Sequence, residues 1–341
     1  MLLLPDDDRL GWLAPQPVDT ARAEVRLERF PARAGAALAG QIGPLANLRS
    51  APGCGVRVVT DSPWIALRLA RLRHHQMTPQ SLAVTVGRAG EAWSADSGDL
   101  REREGELRVL LPTGLERGAA PGTVTAWLPP ISTCAIAGVE LAEGAIAAAP
   151  PAEAPRLLCL GDSLVQGFSC QSPLHPWPMR LAQRLGVAHW NLGVGGIRHE
   201  AEAFAWALDR PWELVVVGLG SNLAWRGDDL DAVADRLAPL ADAVCRSPAA
   251  RVAWCLPPWK PCEDGKGPPE FMGLALDAEQ GRRFAAVRER VAAALARYAP
   301  RLELVGGELL PRDHRAFPDG LHPFAPGFAR YAEGVAAALH L

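Results

Sequence analysis

Beyond residue 156 the chain alternates short apolar runs with stretches of helical spacing, and this alternation constrains the fold more than any other feature. The runs Arg156–Leu160, Val187–Leu192, Glu213–Leu219, Arg251–Leu256 and Leu302–Val305 are strand-like. Between and after them, helical periodicity covers residues near 177–185, 197–208, 228–245, 278–298 and 325–340. Such alternation predicts an α/β fold: a doubly wound, five-stranded parallel sheet with helices on both faces and right-handed crossovers. About 190 residues suffice for one domain of this kind.

Before residue 147 the period is two. Val56, Val58 and Thr60 alternate with Arg57, Val59 and Asp61, and Ile65, Leu67 and Leu69 alternate with Ala66, Arg68 and Ala70. Leu82-Val84-Val86, Leu107-Val109-Leu111 and Val124-Ala126-Leu128 continue the pattern. Asp61-Ser62-Pro63, Asp96-Ser97-Gly98 and Pro121-Gly122 supply turns between them. Short alternating strands bounded by turns predict an antiparallel β-sandwich, jelly-roll-like, over residues 1–147. An alanine- and proline-rich segment, 148–155, reads as a linker to the α/β domain at 156–341.

With 49% hydrophobic and 21% charged residues, the chain has enough apolar matter for a sizeable core. A net charge of −3 gives no electrostatic case for nucleic acid or an anionic membrane. Nearly all the positive charge is scattered arginine; lysine occurs only at Lys260 and Lys266. The N-terminus lacks the basic and long apolar regions of an export signal, and no stretch has the apolar length of a membrane span. The seven cysteines form no C-x-x-C pair, so reduced thiols in a cytoplasmic protein are expected, with no metal.

Four loops fall at the carboxyl ends of the expected parallel strands or just before the last helix, where open α/β sheets place their ligands. They are Gly161-Asp162-Ser163, Asn191-Leu192-Gly193-Val194-Gly195-Gly196, Gly220-Ser221-Asn222 and Asp319-Gly320-Leu321-His322. Singly, each is ordinary turn or cap chemistry. A Gly-Asp-Ser triplet alone arises by chance in roughly one chain in ten of this length. Together they supply what acyl transfer needs. A serine hydroxyl requires a general base, which His322 provides, and Asp319 can hold the imidazole. The N–H groups of Ser163 and Gly196 and the amide of Asn222 are candidate oxyanion donors. Asp162 is expected to fix the turn through side-chain-to-backbone bonds.

In this order the four blocks resemble the GDSL (SGNH) hydrolase family over about residues 156–341. The resemblance implies a flavodoxin-like arrangement of the doubly wound sheet, Ser163 as nucleophile, Gly196 and Asn222 in the oxyanion hole, and Asp319 with His322 completing the triad, with no cofactor. The third block departs from the family's Gly-x-Asn-Asp, with Leu223 in place of the Asp. His175-Pro176-Trp177-Pro178 and the Thr123–Pro129 strand are similar to a branch of the family that carries an N-terminal β-sandwich. That branch includes an acyltransferase, and two-domain carbohydrate esterases share the layout.

The proline- and glycine-rich insertion from Pro257 to Asp277 follows the fourth strand. Its Trp259, Phe271 and Met272, and Trp225 beyond Asn222, either line a substrate pocket or cover the core. His175 and His199 lie near the first two blocks. Asp313-His314 is a rival acid–histidine pair without the Asp-x-x-His spacing. The expected function is a serine-dependent hydrolase of a small acyl ester, such as an O-acetyl sugar or metabolite. The alternatives are an acyltransferase to a hydroxyl acceptor, a non-catalytic carbohydrate binder, and a nucleotide binder using the glycines at 193–196. The partner is a small-molecule or carbohydrate ester.

Overall fold

The computed structural model describes every residue except 40–45, 77, 89–90, 226–227, 307–308 and 310–311. The chain forms two compact units. Its first half runs β1 (Leu2–Leu3), β2 (Gly11–Leu13), α1 (Ala32–Ala39), α2 (Ala46–Arg49), β3 (Gly55–Thr60), β4 (Trp64–His74), β5 (Ala83–Arg88), β6 (Glu91–Asp96), β7 (Arg103–Pro112), β8 (Gly122–Trp127) and β9 (Ser132–Leu141).

These strands make two antiparallel sheets, ordered β1-β9-β4-β7 and β2-β3-β8-β5-β6. Val58, Val84 and Val124 of one sheet share a core with Ile65, Leu111 and Ile136 of the other, as the period of two predicts for a sandwich. Strand β9 escaped the sequence reading. It lies between β1 and β4 and is buried almost throughout, so it shows no polar alternation.

Two segments cross the single cut that the sequence suggested. Helix α1, with Ala34 and Leu38 buried, belongs to the second unit, where it packs on α5 (Ala201–Leu208). Residues 170–174 belong to the first unit: Ser172 donates to Asp96 at 2.6 Å, and Gln80 Nε2 donates to the Cys170 carbonyl at 2.8 Å. Residues 148–154 of the expected linker also belong there rather than hanging free. Ala148 exchanges two backbone bonds with Val59, both 2.9 Å, and Arg57 reaches Glu153 at 2.8 Å and the Pro151 carbonyl at 3.2 Å. Proline has no N–H to donate to a strand ladder, and here a buried arginine makes the attachment.

The second unit contains β10 (Leu157–Gly161), α3 (Ser163–Gln166), α4 (Trp177–Leu185), β11 (His189–Gly193), α5, β12 (Leu214–Gly218), α6 (Val233–Arg246), β13 (Arg251–Cys255), a small hairpin of β14 (Glu270–Phe271) and β15 (Leu274–Ala275), α7 (Ala278–Leu295), β16 (Leu302–Val305) and α8 (Ala325–Ala338). The five long-range strands are all parallel and ordered β11-β10-β12-β13-β16, the flavodoxin-like order. Each expected strand and helix of this half is present, with ends shifted by a few residues. The largest shift is at α6, which begins at Val233 rather than near 228.

Three adjacent strands end in glycine, and the register sets these in one row: Gly161 pairs with Gly193 on one side and Gly218 on the other. Helix α3 settles directly on that row. A Cβ on Gly193 would lie 2.1 Å from the Gln166 nitrogen, and one on Gly161 would lie 2.2 Å from the Gly218 oxygen. At Gly161 the φ of 157° adds a backbone reason for glycine. Gly193→Ala should therefore force α3 off the sheet, lowering stability by at least about 2 kcal/mol. The check is thermal melting followed by circular dichroism; an unchanged melting temperature would contradict this packing.

Candidate active site

Ser163 is the first residue of α3 and sits at the carboxyl end of β10. The preceding Asp162 is extended, and its carboxylate accepts the Leu164 N–H at 3.0 Å, the turn-fixing role expected for it. The helix is closed after one turn by Gly167 in the left-handed region, φ 92°. Ser163 therefore has little freedom in backbone position.

The last loop brings its acid and base to this serine. His322 Nε2 lies 2.8 Å from Ser163 Oγ, and His322 Nδ1 lies 2.8 Å from Asp319 Oδ2. Asp319 Oδ1 also accepts the backbone N–H groups of Leu321 at 2.9 Å and His322 at 2.7 Å. Ser169 Oγ donates to Oδ2 at 3.1 Å, from a residue held at a φ of 69°. The three-residue spacing thus makes an Asx-type turn in which the acid orients the ring and the backbone that carries it. Burial alone would raise the pKa of Asp319. The hydrogen bonds and charge of His322, together with the backbone donors, outweigh that and bring it down to about 2. Its carboxylate can hold an imidazole in one tautomer and stabilise its cation.

The second and third blocks lie together. Asn222 is buried, and its Nδ2 donates to the Ile197 carbonyl at 2.9 Å, which leaves one amide hydrogen for another acceptor. Gly196 is left-handed at φ 83°. Two side chains tie this block to α3: Asn191 Nδ2 donates to the Val165 carbonyl at 2.7 Å, and Gln166 Oε1 accepts the Gly195 N–H at 2.7 Å. The third block has Leu223, fully buried, where the family's acid would stand. Helix α7 supplies order instead. Gln280 Nε2 and Arg283 Nε donate to the Ala224 carbonyl at 2.8 and 3.0 Å, and Arg283 Nη2 reaches the Trp225 and Asp228 carbonyls at 2.9 and 2.7 Å.

The aromatic candidates separate. Phe271, on the β14–β15 hairpin, lies 5.4 Å from the His322 ring centroid. Phe168, which the sequence reading missed, lies 4.6 Å from it on the loop after Gly167. Met272 is 86% exposed at the hairpin tip. Trp225 is half-buried, its ring edge-on to Phe284 at 6.2 Å. Trp259 takes the second of the two roles the sequence left open: it is buried against Phe317 and covers the core. The rival pair is a cap, with Asp313 accepting the Arg315 N–H at 3.0 Å. His199 Nε2 lies 3.8 Å from Glu200 Oε1, and burial lowers the pKa of the imidazole.

A parallel α/β sheet thus carries a serine, a histidine and an aspartate in hydrogen-bonded sequence, the residue types and contacts that acyl transfer uses. The sequence profile of the GDSL-like lipase/acylhydrolase family matches residues 159–330, half of the chain, and the protein belongs to that family. Among solved structures, the salicylyl-acyltransferase SsfX3 from a tetracycline biosynthetic pathway is similar over 100% of this chain and 96% of its own, at 21% identity and a TM-score of 0.76. A GDSL-like lipase from Bacteroides ovatus aligns over 100% and 98%, at 17% identity and a TM-score of 0.72. A family two carbohydrate esterase from Clostridium thermocellum aligns over 97% of both chains, at 11% identity and a TM-score of 0.61. No curated protein matches the sequence closely enough to be aligned with it.

Asp162 is fully enclosed, and burial raises its pKa to about 6 despite the Leu164 N–H, Lys260 and His322. Its folded value exceeds its unfolded one, so the stability it contributes is present below about pH 4 and lost as pH rises through about 6. That difference is worth on the order of 3 kcal/mol. Asp162→Asn keeps an acceptor for Leu164 but does not titrate. Its melting temperature should gain on the wild type between pH 4 and 7, and a constant difference across that range would contradict the buried charge.

Proposed function

We propose that the protein is a serine-dependent esterase that works through an acyl-enzyme on a small acyl ester. The observation that carries this is the unbroken contact from Ser163 Oγ to His322 Nε2 and from His322 Nδ1 to Asp319 Oδ2, each 2.8 Å. Ser163 Oγ attacks the ester carbonyl as His322 Nε2 takes its proton, and Asp319 stabilises the resulting imidazolium. The charge that develops on the carbonyl oxygen is received by the Ser163 and Gly196 N–H groups and the second amide hydrogen of Asn222. His322 then protonates the departing alcohol, leaving the acyl group on Ser163; a water that gives a proton to His322 attacks the acyl carbon, the bond to Ser163 Oγ breaks to release the acid, and His322 returns the proton to Oγ.

The Phe168 and Phe271 rings beside His322 favour an apolar group near the scissile bond. Transfer to an acceptor hydroxyl is the second reading. The two reactions share their first half, and the full-length likeness to an acyltransferase gives transfer a concrete precedent in the same architecture.

Wild-type protein should hydrolyse p-nitrophenyl acetate and be labelled by a fluorophosphonate probe at Ser163, mapped by mass spectrometry. Ser163→Ala should lose both properties with an unchanged circular dichroism spectrum; an active alanine variant would sink the mechanism. Asn222→Ala should reduce turnover by about 10²–10³. A two-fold loss or less would remove the amide from the oxyanion site. Product analysis with and without candidate acceptor alcohols separates hydrolysis from transfer.

A further inference from the structure

Only two lysines occur in a chain whose other cationic side chains are all arginine, and one of them, Lys260, is 2% exposed. It follows β13 in the insertion and points beneath the loop that carries the acid and base. Its Nζ donates to the Leu321 carbonyl at 2.5 Å, between Asp319 and His322 in sequence, and lies 5.8 Å from the Phe317 ring centroid. Its own backbone is fixed: the Lys260 N–H donates to Glu263 Oε1 at 2.8 Å, and Glu263 is clamped by Arg288, which also donates to the Pro257 carbonyl at 2.8 Å.

We propose that Lys260 is a positioning residue of the acyl-transfer site, whose enclosed ammonium holds the Asp319–His322 loop by the Leu321 carbonyl and provides the countercharge to Asp162 and Asp319. A buried ammonium is costly unless paired and hydrogen-bonded, so its retention under this loop calls for such a partner set. Lysine suits the place because it is a compact charge with three donors, where the planar guanidinium needs more room. The groups that act on it electrostatically come from each surrounding segment: Asp162 at the start of α3, Asp319 in the last loop, Glu263 in its own turn and Arg288 on α7. Burial is the largest influence and lowers its pKa to about 8, against the pull of the three carboxylates. The charge is therefore complete below that value and lost as pH rises through it.

This inference rests on Ser163, His322 and Asp319 being the reactive set. The test compares wild type with Lys260→Met, which matches the side chain in length but lacks charge and donors, using p-nitrophenyl acetate from pH 6 to 9.5. Lys260→Met should fold and lose about 10- to 100-fold in kcat, with KM within about two-fold. Wild-type kcat should decline as pH passes about 8, and the variant should lack that decline. If the single variant does not fold, Lys260→Met combined with Asp162→Asn, which removes both buried charges, is read in the same way. A kcat within about two-fold of wild type, or a reduced kcat with the wild-type alkaline decline intact, would overturn the role of Lys260 while leaving the Ser163 mechanism standing. A folded wild type that neither hydrolyses the ester nor is labelled at Ser163 would overturn both.

Discussion

The close seating of α3 on the ends of β10, β11 and β12 is the constraint on which the rest of the site depends. A serine can stand at the sheet edge with its hydroxyl toward a histidine only if the helix that begins there comes down to backbone contact. Gly161, Gly193 and Gly218, set in one row by the strand register, make that approach possible. Asn191 and Gln166 then bind the second block to α3 by bonds of 2.7 Å each, so the glycine turn at 195–196 is placed by the same helix that places Ser163. Once this seating is fixed, the other loops need only reach it.

Electrostatics explains how the last loop reaches it. Asp319 accepts four hydrogen bonds, two from its own turn, one from His322 Nδ1 and one from Ser169. A carboxylate so satisfied stays ionised although largely enclosed, and it orients both the ring and the peptide that carries the ring. Asp162 has fewer donors, and burial raises its pKa to about 6. Lys260 lies under the same loop, so a cation from the insertion faces two carboxylates from opposite ends of the unit's sequence.

Much of this was legible in the sequence because it rests on local rules. The period of two before residue 147 and the strand–helix alternation after 156 follow from which faces are buried, and the four loops follow from their places at strand ends. Strand β9 was not legible, because burial on both faces removes the alternation that marks a strand. Trp259 and Phe271 look equivalent in a proline-rich insertion, yet one packs beneath Phe317 and the other lies beside His322. Nothing local tells the two apart. Nor does Leu223 reveal what replaces the family's acid, since Gln280 and Arg283 arrive from a helix more than fifty residues away.

The sequence by itself determined the α/β class of the second half, the β character of the first, and the order of the four blocks that hold Ser163, Asn222, Asp319 and His322, because residue type, period and order carry that information. Tertiary structure alone decided which aromatic faces the histidine, what fixes the Asn222 loop, and that α1 and residues 170–174 join the unit other than the one their sequence position implies. Such choices depend on packing and hydrogen bonds between segments distant in the chain, and no local pattern records them.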